Sequence, residues 1–67
     1  MDEDRAEKLY LAVSAVLQEH GVMGLLGAAG DARARVPWQE TAPKTRDLFR
    51  LLSVKLTELD GKTNLGT

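Results

Sequence analysis

The chain has no cysteine. That excludes disulfides and any thiolate-held metal. It has one histidine, His20, too few imidazoles for a protein-built transition-metal centre. No Gly-x-Ser-x-Gly turn is present, and Ser14 and Ser53 both fall inside helical patterns with no base at catalytic spacing. The acids sit near the termini or on polar helix faces, so no pair reads as a general acid and base. The glycines between 21 and 30 lack the Gly-Lys-Ser/Thr ending of a phosphate loop and follow no strand pattern. The expectation is a protein that is not an enzyme, with no catalytic residue, no metal and no cofactor. Long hydrophobic runs are missing too. The apolar stretches 9–17 and 22–29 are separated by Gln18, Glu19 and His20. Neither approaches the roughly 20 residues that cross a bilayer. The first residues are acidic where a secretory signal is basic. A cytoplasmic chain that binds no membrane is expected.

What remains is 67 residues with a formal net charge of −1. That is one domain with little interior. Below roughly 70–80 residues a single core rarely supplies more than ~3–5 kcal/mol. With disulfides and metals excluded, association is the remaining supplement, and a homodimer is expected. The charge is uneven. Residues 1–30 carry five acids against two bases, and residues 31–67 carry seven bases against five acids.

The pattern is all-α: two long amphipathic helices joined by a glycine-rich connector with one or two short helical turns, in a dimeric bundle. The first helix covers about residues 4–20. Asp4 reads as its N-cap with Glu7 three residues on, and Gly21 suits the position beyond its end, where a positive φ is wanted. At 100° per residue, Ala6, Leu9, Tyr10, Val13, Val16, Leu17 and His20 share an arc of roughly 120°. Leu11 and Ala15 lie off it. His20 reads as an end-cap on the core-facing arc, bonded to a terminal carbonyl.

The connector covers residues 21–41. Glycine recurs at 21, 24, 27 and 30, and each interior helical glycine costs ~1 kcal/mol relative to alanine. Residues 22–30 read either as a short weak helix or compact loop capping the helical pair, or as an apolar flap that orders on a partner. Residues 31–36 extend that segment by at most a turn or two, ending before Pro37. Residues 38–40 form a helical turn whose Trp38 plugs the core.

The second helix covers about residues 42–59, with Thr41 as N-cap and Pro43 in the first turn. Leu48, Phe49, Leu52, Leu56 and Leu59 share its apolar face, Leu51 widens it, and Val54 lies off it. Gly61 ends it, and residues 60–67 form a frayed polar tail.

Without a catalytic set, the chain reads as an interaction module that binds and modulates another protein. Its candidate contact residues are the apolar side chains off or at the edge of the stripes: Leu11, Ala15, Leu51 and Val54. Met23, Leu25 and Leu26 join them, where methionine is adaptable and glycine permits close approach. The rival is a small DNA-associated regulator using the basic cluster Arg33, Arg35, Lys44, Arg46 and Arg50. A helix-turn-helix is disfavoured, because residues 23–29 contain no side chain that reads a base edge.

The block Trp38-Gln-Glu-Thr41-Ala-Pro43-Lys-Thr-Arg46-Asp-Leu-Phe49 resembles a pattern in small phage and prophage proteins, a Trp-led turn before a proline and a helix carrying Arg-x-x-Tyr/Phe. The resemblance implies a mobile-element origin and a role in modulating a host protein. It assigns no functional residue.

Overall fold

The computed structural model describes the backbone of residues 2–65 and the side chains of residues 2–61. It is an all-helical hairpin. Helix α1 spans Asp2–Arg33, a 3₁₀ turn covers Trp38–Glu40, and helix α2 spans Pro43–Leu65. No strand occurs among the described residues.

Helix α1 begins earlier than the capping pattern predicted. Asp2, Glu3 and Asp4 all lie in its first turn, where their charge complements the positive helix end. Asp4 therefore does not cap the helix. It pairs with Lys8 one turn on, at 3.2 Å.

Gly21 has the expected positive φ, with φ 78° and ψ 170°, a region essentially reserved for glycine. It does not end the helix there. Residues 22–33 resume as helix beyond a kink, so the predicted connector is mostly helical. The kink has a geometric purpose. Val16 and Ala28 are both buried in one cluster with Leu48 of α2. Twelve residues apart, they would stand about 120° apart on an unbroken helix. The break at Gly21 supplies the missing rotation, so both segments turn a face to α2.

The second segment closes in a Schellman arrangement. The Val36 N–H donates to Asp31 O at 3.1 Å and the Arg35 N–H to Ala32 O at 3.1 Å. Arg35 takes the left-handed position at φ 58°, where glycine is the usual occupant. Pro37 then prevents further helix, and the chain turns through Trp38–Glu40.

Thr41 is not the cap of α2. Its hydroxyl donates back to Trp38 O at 2.7 Å, closing the 3₁₀ turn. Ala42 precedes the helix, its carbonyl accepting the Arg46 N–H at 3.1 Å. Pro43 holds the first helical position, where its missing N–H costs nothing. Nor does Gly61 end α2, which continues to Leu65. Of the predicted tail, residues 60–65 are helical in the backbone, and residues 66 and 67 lie outside the described residues.

The core is small. Among the described residues, Ala12, Val16, Ala28 and Leu48 are the buried hydrophobics. Leu25, Phe49, Leu51 and Leu52 pack around them, partly buried. The stripe predicted for residues 4–20 is covered only along one edge. Helix α2 lies over the line Lys8, Ala12, Val16, leaving Tyr10 70% exposed and Leu9 47%. Ala12 is small enough for close helix approach, and Lys8 reaches across to Asp60 at 3.1 Å. One helix cannot cover a 120° stripe, and the Lys8–Asp60 ion pair lies at the end of the edge that is covered.

Candidate functional site

The best-formed concavity is an open pocket of about 250 Å³ at the turn end of the hairpin. Its walls are Asp31 and Ala32 from the end of α1, Val36, Trp38 and Thr41 from the connection, and Thr45 and Phe49 from α2. Each wall has a local cause. The left-handed Arg35 turns Val36 inward, and Pro37 sets the direction of Trp38. The Thr41–Trp38 bond holds the turn. The Thr45 hydroxyl donates to the Asp31 carboxylate at 3.0 Å, tying the two helices together beside the pocket. Both threonines are buried with their hydroxyls satisfied, so the surface offered is apolar.

Trp38 is the one tryptophan of the chain. It was expected to plug the core, but it stands 46% exposed as an outer pocket wall. The space between α1 and α2 is filled by Val16, Ala28 and Leu48 instead. Arg50 lies over its ring at 6.0 Å from the centroid, within cation–π range, and pairs with Asp47 at 3.0 Å. The five predicted basic residues gather at this same end. Arg33 and Arg35 close α1, and Lys44, Arg46 and Arg50 occupy the first turns of α2. The arrangement is a mainly apolar hollow with Asp31 in its wall and Arg50 over its tryptophan, at the end of the hairpin that holds the basic residues.

The predicted contact residues are divided. Leu11, Met23, Leu26 and Val54 are exposed, Met23 most of all at 78%. Ala15 is half-buried. Leu25 and Leu51 pack against the core cluster, which gives them a structural task within the hairpin. The exposed ones lie on three segments: Met23 and Leu26 beyond the kink, Leu11 before it, and Val54 on α2. The pocket residues Val36, Trp38 and Phe49 were missed as a surface. The available signal was the lone tryptophan after Pro37, followed by arginines on the next helix.

At the open end, a second hollow of about 330 Å³ lies between Asp2, Arg5, Ala6, Leu9 and Leu56. Nearby, Lys8 bridges Asp4 and Asp60. Its pKa is raised above the ordinary lysine value, first by the hydrogen bond with Asp60 and then by Asp4, with burial acting the other way. His20 is half-buried at the kink, stacked so closely on the next turn that a Cβ at Gly24 would meet its own Cβ at 3.0 Å.

By joining the two apolar stretches, α1 acquires a segment long and apolar enough to cross a membrane, with mean hydropathy 1.3 and 11% of it buried. The expectation that neither stretch was long enough took them separately. The segment runs across the Gly21 break and includes Glu19 and His20. In a bilayer core every backbone group needs a partner, so that break is costly there.

Compared with protein-family models, with curated proteins and with solved structures, the chain matches none.

Proposed function

We propose that this chain is a small, non-enzymatic, cytoplasmic interaction module that binds another protein and modulates it, inhibition being the simplest form. The observation that carries the reading is the turn-end pocket, whose apolar walls Val36, Trp38 and Phe49 stand open to solvent. Tryptophan and arginine, here Trp38 with Arg50 over its ring, are among the residue types enriched at binding hot spots. The excess of basic residues at this end of the hairpin suits an apolar anchor carried on an acidic partner segment. The finer architecture, a homodimeric helical bundle, belongs to the same proposal, as does the mobile-element origin implied by the resemblance of residues 38–49.

The test is capture from lysate of the native host by the tagged full chain, with and without nuclease, beside a Trp38→Ala variant. A discrete protein retained in both halves and lost with the variant supports the reading. Capture that ignores the Trp38→Ala change sinks the pocket assignment. Capture that vanishes with nuclease replaces it with the DNA-associated alternative. That alternative draws support from the gathering of Arg33, Arg35, Lys44, Arg46 and Arg50 at one end, and it requires affinity that falls steeply with salt.

A further inference from the structure

We infer that the outer face of α1 is covered by a second copy of this chain, running antiparallel to the first. The inference rests on the interaction-module reading and names the partner of a different surface from the pocket.

Three independent observations lead there. The first is exposed apolar surface: Val22, Met23 and Leu26 on the outer side of the kinked segment are each more than half exposed. One long side of the 40 × 22 × 18 Å body offers roughly 700 Å², close to the ~800 Å² each partner gives to a standard stable interface.

The second is a pair of helical glycines without a local reason. At Gly27 and Gly30 a Cβ would meet nothing within 4 Å, and neither has the positive φ of Gly21. Each costs the helix ~1 kcal/mol relative to alanine. On the same side as Met23 and Leu26, they lower the surface so that another helix can approach closely.

The third is charge along the long axis, and it decides the orientation. The first two turns of α1 carry four acids against two bases, and residues 31–50 at the other end carry five bases against three acids. The ends are about 40 Å apart, several Debye lengths at physiological salt. They therefore act on a neighbour separately. A parallel neighbour sets like against like at both ends. An antiparallel one sets Asp2, Glu3, Asp4 and Glu7 of each copy toward the arginines of the other. A two-fold axis across α1 satisfies both ends at once and closes the assembly.

Sedimentation velocity of the full chain over a concentration series tests the association, and its salt dependence tests the orientation. A dimer that weakens as salt rises is expected. Leu26→Glu, at an exposed position that leaves the hairpin intact, is expected to raise the dissociation constant at least about 100-fold with unchanged far-UV dichroism. With no native cysteine, a single spin label at Glu40→Cys measures the separation of the two turn ends. Antiparallel packing gives tens of ångströms, and parallel packing gives a short distance. A chain that stays monomeric at millimolar concentration overturns the inference, as does one that binds phosphatidylglycerol-containing vesicles through this face instead. A dimer strengthened by salt, or a short label distance, overturns the orientation. A monomeric chain also removes the homodimeric bundle, but none of these outcomes touches capture of a partner through Trp38, so the pocket reading and the dimer fail separately.

Discussion

The two segments of α1 on either side of Gly21 differ sharply in helix propensity, and both pack on α2. Before the kink the sequence is rich in good helix formers, with acids placed at the positive end and a broad apolar stripe. Yet only one edge of that stripe is buried, and Leu9 and Tyr10 face solvent. After the kink the sequence is glycine-rich and intrinsically poor as a helix. That segment nonetheless supplies Ala28 to the core, the Asp31–Thr45 hydrogen bond and the closed terminus around Arg35. Tertiary contact holds the weak segment in place, while the strong one, which also gives Ala12 and Val16 to the core, adds local interactions and keeps apolar surface to spare. Most helical stability in proteins comes from packing rather than propensity, and the segment after Gly21 depends on that packing more than the one before it.

The largest effect is expected where both segments meet α2. Leu48→Ala removes the biggest side chain shared by Val16 and Ala28 and is expected to cost about 2–5 kcal/mol. With so small a core, that is comparable to the whole stability. Urea denaturation followed by far-UV dichroism checks it, and a midpoint near that of the native chain would mean the packing around Leu48 is not what joins the segments. Next comes the hinge. Gly21→Ala meets no neighbour within 4 Å, so its cost of about 1–3 kcal/mol is backbone strain alone. If the helix straightens to relieve it, Ala28 rotates away from α2, and amide exchange protection falls for residues 22–33 more than for residues 2–20. Equal loss in both segments would contradict the rotation argument.

Arg35→Gly works in the opposite direction. It relieves the left-handed strain at φ 58° and is expected to stabilise the end of the weak segment by about 0.5–1 kcal/mol. The change appears as a higher thermal midpoint. The smallest effect lies at the strong end. Because Lys8 holds its proton more tightly when folded than unfolded, its contribution is complete below the ordinary lysine value and fades as pH climbs past the raised folded one. The thermal midpoints of the native chain and Lys8→Met should therefore converge above about pH 10.5. A gap that persists at high pH would assign the difference to packing of the lysine stem.

The positions where sequence reading and structure part share a cause. Leu48 and Leu52 were legible as the inner face of α2 from the 3.6-residue period, while Phe49 on the same stripe also forms a pocket wall. Asp4 and Thr41 were read as caps from residue type and spacing. The helix start moved two residues earlier, and the Thr41 hydroxyl found a nearer acceptor in Trp38 O. Capping residues satisfy whichever backbone group the fold brings close, and spacing alone does not choose among them. The basic cluster was visible as a run of residue types, but its meeting with Trp38 and Phe49 at one pocket depends on how α2 folds back.

The sequence by itself determined the helical class, the existence of two main helices, the positive φ at Gly21 and the shortage of interior. These follow from local sterics, hydrophobic period and chain length. The tertiary structure alone decided that residues 22–33 are helix, which edge of the first stripe is covered, and that Trp38 stands at the surface. A glycine-rich segment has no strong preference of its own. Its conformation is set by the free energy of packing on α2, and that quantity belongs to both helices at once.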